Sequence, residues 1–79
     1  MDEAYFGELR LVAFNYDPID WAACDGRLLN INQNQALYAL LGVTFGGDGR
    51  NTFALPNYPS PAKGLHWIIC TNGLWPNRP

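Results

Sequence analysis

Apolar and polar positions alternate along the first stretch of the chain, from Phe6 to Phe14. Leu9, Leu11 and Ala13 fall on one side, and Glu8, Arg10 and Val12 on the other. A period of two is the signature of a strand with one face turned inward. Asn15-Tyr16-Asp17-Pro18 ends it, because the proline ring fixes φ and pushes the preceding residue out of helical conformation. Trp21-Ala22-Ala23-Cys24 and Arg27-Leu28-Leu29 then flank Asp25-Gly26. A two-residue Asp-Gly loop suits a type I′ turn, whose central residues both need positive φ. The pattern therefore predicts a short hairpin with Trp21 at its base.

The period changes after Ile31. Ala36, Leu37, Leu40 and Leu41 recur at helical spacing, which predicts a helix over residues 33–41. Asn32 is placed as N-cap, Gln35 reaches back as in a capping box, and Gly42 is the C-cap. So short a helix is unstable alone and must pack on a sheet. The glycine-rich run Gly46-Gly47-Asp48-Gly49 predicts a tight loop whose ends are anchored by Phe45, Phe53 and Leu55. Tyr58-Pro59-Ser60-Pro61 is a stiff, polyproline-like stretch. The last strand, Leu65 to Thr71, is apolar on both faces and suits a position buried from both sides. The chain thus divides into a body over 1–57, a proline-rich connector over 58–64, and a closing strand with a tail over 65–79, all in one domain. The expected fold is α+β: a small, mainly antiparallel sheet, one short helix and long ordered loops. The expected core is Leu9, Leu11, Ala13, Trp21, Leu28, Leu37, Leu40, Leu41, Phe45, Phe53, Leu55, Trp67 and Ile69.

Size and composition add an expectation of association. A domain of 79 residues buries only about 60–65% of the surface its unfolded chain exposes, so scaffolds of this size usually need a staple or a partner. Charged residues are 15% of the chain and aromatic residues 14%. So few charges leave apolar surface to be covered by other protein. The five basic residues are scattered, which argues against a nucleic-acid partner. No apolar run is long enough to span a membrane. Met1-Asp2-Glu3-Ala4 is acidic, and no N-terminal signal peptide is visible.

Candidate chemistry is sparse. Cys24 and Cys70 read either as two buried small hydrophobes or as a disulfide closing a long loop. Their distance apart in sequence and a lone histidine give no zinc-ligand spacing, and no metal or cofactor is expected. His66 lies between Leu65 and Trp67 without a nucleophile or acid in context, and Asp17, Asp20, Asp25 and Asp48 sit at turns, where such carboxylates bond their own backbone. No catalytic residue is expected, and the protein is read as not an enzyme. Gly46, Gly47, Asp48 and Gly49 could form a ligand loop, but the run lacks the Lys-Ser/Thr of a phosphate loop. It reads better as a loop that lets backbone approach a neighbour closely.

Gly7-Glu8-Leu9-Arg10, then WAACDGRLLNINQNQALYALLGVTFGGDGRNTFALPN, resembles the N-terminal module of the phage tail-collar and microcystin-dependent protein family. That family's pattern runs from a G-E-[IL]-R strand through a W-A-x-C-[DN]-G-x-L hairpin and an N-x-A-L-[FY] helix. It continues through a G-G-[DN]-G loop to T-F-x-[LV]-P-[DN]. Gly73-Leu74-Trp75-Pro76-Asn77-Arg78 resembles the segment that closes many members. Longer members carry an extended, glycine-rich insert, in some cases with metal-binding histidines, where this chain has only Tyr58 to Gly64.

The resemblance implies a structural component of a phage tail fibre, collar or related contractile injection device, located in a virion tail or an extracellular assembly. Copies of the chain and other tail proteins would be its partners in a trimer, ring or filament. Behind the proline connector, Leu65, Trp67, Ile69, Leu74 and Trp75 are the residues expected to carry self-association, with the closing strand free to complete a neighbour's sheet. The rival reading is a small lectin-like or adhesin module that recognises a surface glycan through Trp75 or the Gly46–Gly49 loop.

Overall fold

A computed structural model describes residues 4–75. In chain order the elements are β1 (Leu9–Val12), β2 (Trp21–Ala23), β3 (Leu28–Asn30), α1 (Gln35–Leu41), β4 (Thr52–Ala54) and β5 (His66–Cys70). The fold is α+β with antiparallel strand pairs. The strands form two sheets: one ordered β1-β5-β2, the other β3-β4. The closing strand β5 is thus the central strand of the larger sheet. Leu9 lies opposite Ile69 and Leu11 opposite Trp67 on one side of it, and Trp21 lies opposite Cys70 and Ala22 opposite Ile69 on the other. Its apolar character on both faces has a direct cause, since Ile68, Ile69 and Cys70 are all buried.

Side chains alternate across that sheet. Ile69 and Ala22 point into the main core with Leu37, Phe53 and Leu55. Ile68, Cys70 and Trp21 point the other way, into a smaller cluster with Ala4 that Val12 joins. Arg10 is on this second face, with its guanidinium carbon 5.1 Å from the centre of the Trp21 ring. The entry to β1 is a turn in which Glu8 N–H donates to Tyr5 O at 3.0 Å. Gly7 occupies its third position with φ 80°. Gly7 N–H then donates to Cys70 O, and Cys70 N–H donates to Glu8 O, each at 2.9 Å. Two residues oppose one, in the pattern of a G1 bulge, and that bulge requires glycine at its first position.

Several sequence expectations are corrected. Trp21–Ala23 and Leu28–Asn30 do not pair with each other, because β2 joins β5 and β3 joins β4. Asp25 lacks the positive φ of a type I′ turn. Its carboxylate accepts from Arg27 N–H at 3.1 Å and from the Arg27 guanidinium at 3.0 and 2.9 Å, and the chain crosses from one sheet to the other there. The helix starts two residues later than expected, after Asn34, with no side-chain cap bond. Asn34 instead turns its amide back to Asn30 O at 2.9 Å. At the other end Gly42 has positive φ and donates its N–H to Tyr38 O at 2.7 Å. Leu37 is wholly buried and Tyr38 and Leu41 pack beside it. Leu9, Leu11, Ala13, Leu28, Leu40 and Phe45, all expected in the core, are exposed, and Leu29 rather than Leu28 turns inward.

Candidate functional site

The five residues expected to carry self-association do not form one patch. Ile69 is 1% exposed and belongs to the main core, so it is unavailable to a partner. Leu65 and Trp67 are half-buried. Leu74 and Trp75 are exposed and lie past the other end of β5. There the backbone of Leu74 is tied to the N-terminal segment, donating to Ala4 O at 2.8 Å and accepting from Phe6 N–H at 2.9 Å. The Trp75 ring meets Phe6 edge-on at 6.4 Å.

Trp67 does have apolar company that the sequence pattern assigned elsewhere. Leu9 and Trp67 line an open cleft of about 390 Å³ with Tyr58, Pro59, Ser60 and Pro61. Leu11 is opposite Trp67 on the same face and is 41% exposed. Phe45 extends this surface, its ring edge-on to Tyr58 at 6.3 Å. Leu40 flanks it near Gly7, where a Cβ would lie 3.9 Å from the Leu40 Cδ1. The result is an apolar strip along edge strand β1, continued by the proline-rich connector. The alternation of Leu9 and Leu11 signalled an apolar face in the sequence, but not that the described residues leave this face partly uncovered.

The glycine-rich loop is built around Asp48. One carboxylate oxygen accepts from the N–H groups of Arg50, Asn51 and Thr52 at 2.8, 2.9 and 3.0 Å. These three backbone bonds pull the Asp48 pKa down to about 2. Gly47 lies hard against β4: a Cβ there would be 2.4 Å from Phe53 Cα and 2.6 Å from Thr52 O. Gly46, Gly47, Asp48 and Gly49 therefore bring backbone into close contact with a neighbouring strand, and the Asp48 carboxylate is occupied in holding the turn.

Cys24 and Cys70 are both free and buried. Trp21 is opposite Cys70, and Cys24 N–H donates to Trp67 O. The two cysteines therefore sit three residues apart along β5, roughly 10 Å at about 3.3 Å per residue, beyond the ~7 Å Cα separation that a disulfide bridges. They also face opposite clusters. This corrects the disulfide alternative. Burial, then the charge of neighbouring Asp25, raises the Cys24 thiol to about 11, and burial raises Cys70 as well. Neither is an activated nucleophile. His66 packs edge-on against Phe14 at 6.5 Å.

A second cleft, of about 630 Å³, was not legible in the sequence. It lies between Tyr16–Trp21 and Cys70–Leu74. Asp20 is held at φ 71° on its wall, with Asn72 donating to its carboxylate at 3.3 Å. Among the described residues, no three His, Cys, Asp or Glu side chains converge as metal ligands, and no helix is long and apolar enough to cross a membrane.

Residues 7–62 match the family model of the phage tail collar domain. No curated protein and no solved structure matches the chain.

Proposed function

Because the chain belongs to the phage tail collar domain family, we propose that it is a structural phage-tail component that works by associating with copies of itself, in a closed trimer or ring or in a filament outside the cell. The carrying observation is the apolar strip of Leu9, Leu11, Trp67, Tyr58 and Phe45, which the folded chain leaves partly open. Contiguous apolar surface of this kind on so small a body marks a protein contact. The fold also supports a structural role: its clustered polar side chains hold turns, and the buried thiols are held in their unreactive form. Light scattering and negative-stain microscopy of the purified chain test the reading. Oligomers or filaments are expected, and a chain that stays monomeric at millimolar concentration refutes it.

The glycan-binding alternative rests on Trp75, which is 48% exposed. It expects saccharide binding that disappears in Trp75→Ala. The Gly46–Gly49 loop gives that alternative little support, because the Asp48 carboxylate is already engaged by backbone.

A further inference from the structure

Among the described residues strand β1 has one partner, β5, and lies at the edge of its sheet. The hydrogen-bonding phase along it follows from the bulge. Cys70 N–H donates to Glu8 O, so in an antiparallel ladder the next bonded pair is Arg10 with Ile68, and the backbone groups of Leu9 and Leu11 turn to the free edge. Among the described residues nothing pairs with those outward groups. The side chains of the same two residues are 38% and 41% exposed. An edge strand with open backbone and apolar side chains is a template for another strand, and natural edges usually blunt that tendency with charge, proline or a cover. Here the two charges, Glu8 and Arg10, are not on the apolar face. They lie on the other face, joined to each other at 2.9 Å.

We propose that β1 pairs antiparallel with β1 of a second copy, centred on Leu9, so that the two larger sheets become one. This rests on the reading of the protein as a self-associating structural component and names the surface. Three registers place an outward leucine of one copy opposite an outward leucine of the other. Centring on Arg10 puts two guanidinium groups directly opposite each other, which is destabilising. Centring on Leu11 leaves Arg10 opposite Val12 of the second copy. Centring on Leu9 places Glu8 opposite Arg10 of the second copy and Arg10 opposite Glu8 of the second copy. In that register Leu9 meets Leu9 as a bonded pair, both outward N–H groups donating to the facing carbonyls. Leu11 comes opposite Gly7 of the second copy, where the missing side chain leaves room beside Leu40. Charge and shape both select one register, and the contact is isologous. It joins copies in pairs, so of the assemblies named above it fits a filament or a ring of even copy number and not a closed trimer, and those larger assemblies need a second contact elsewhere on the surface.

Charge variants of the full chain test this. Glu8→Arg and Arg10→Glu each place like charges opposite one another across the two-fold, and each is expected to weaken self-association at least tenfold by sedimentation equilibrium. An equimolar mixture of the two brings opposite charges together and is expected to recover association to within a few-fold of wild type. Leu9→Pro removes the outward N–H, which makes no bond to β5, together with the Leu9 side chain, and is expected to abolish pairing. Circular dichroism checks that each variant is folded.

Amide exchange of the wild type gives a second measurement that needs no variant. Leu9 becomes protected as concentration rises, while Arg10 is protected throughout. A wild type that is monomeric refutes both this contact and the assembly reading. A closed trimer, assemblies that persist unchanged in both charge variants, or concentration-independent exchange at Leu9 within an oligomer, refute this contact alone.

Discussion

Gly47 offers a sharp test of how the loop and the core are joined. Its backbone has φ 97°, and a Cβ would come within 2.4 Å of Phe53 Cα, 2.6 Å of Thr52 O and 2.9 Å of Phe53 N. All three obstacles are backbone atoms of β4, and Phe53 is wholly buried at the centre of the main core. Gly47→Ala therefore incurs two costs. A left-handed conformation costs a non-glycine residue about 1–2 kcal/mol. Moving β4 away from the new methyl disturbs packing by a further ~1–3 kcal/mol, as overpacking does. The expected total is about 2–5 kcal/mol.

Gly64 is the control. It has φ 83° and nothing within 4 Å of a Cβ, so Gly64→Ala should cost the conformational term alone, about 1–2 kcal/mol. A domain of this length has a total stability of roughly 4–12 kcal/mol, and each kcal/mol shifts Tm by about 4–8 °C at this size. Thermal melts at one fixed protomer concentration, followed by circular dichroism, read the difference. Fixed concentration matters because association would itself raise the apparent stability. If Gly47→Ala melts within a few degrees of Gly64→Ala, the close approach of loop to strand is not what requires glycine at position 47.

Three further outcomes follow from the same packing. Leu37→Ala should cost about 2–5 kcal/mol, as for other deeply buried leucines, whereas Leu40→Ala, at an exposed position of the same helix, should cost well under half of that; equal losses in urea titrations would refute the assigned helix face. The Asp48 carboxylate has a folded pKa depressed to about 2, so its contribution to the loop is present above the ordinary value near 3.8 and is lost as pH falls through about 2. The amide resonances of Arg50, Asn51 and Thr52 should titrate together at that low pH, and a midpoint near the ordinary carboxylate value would show that the three bonds are absent. Iodoacetamide at about pH 8 should leave Cys24 unmodified in the folded protein and label both cysteines after denaturation, because a buried thiol raised to about 11 holds almost no thiolate there; rapid labelling of native Cys24 would contradict its placement.

Where the elements lie was legible in the sequence, but their pairing was not. The helix, the loop and the closing strand follow from local periodicity and glycine placement. The Asp25-Gly26 hairpin signal was just as local, and it misled. The Asp25 side chain commits its oxygens to the backbone and guanidinium of Arg27, and a strand that is apolar on both faces competes for Trp21–Ala23. Only the global arrangement reveals that β5 displaces β3 as the partner of β2. Alternation on β1 likewise showed which residues share a face, but not which face is covered. The nominally polar face is partly buried, because Arg10 can lay its guanidinium over Trp21 and still reach Glu8, and Val12 joins the cluster below. The nominally apolar face is left open.

The position of β5 also decides which experiments can speak about assembly. Removing residues from Leu65 onward would take away the strand to which both β1 and β2 are bonded. It would also remove Ile68, Ile69 and Cys70 from two cores at once. Loss of oligomers in such a truncation would report loss of the fold, whichever surface copies use to meet. The same holds for substitutions at Ile69. Changes at the outer edge are different in kind. Leu9 N–H faces away from β5, and Glu8 and Arg10 carry their charges beside the ladder rather than within it. A strand that must be intact for the chain to fold cannot also be the place where association is tested in isolation. The edge of β1, whose outward groups make no bond among the described residues, can be altered while β5 stays where it is.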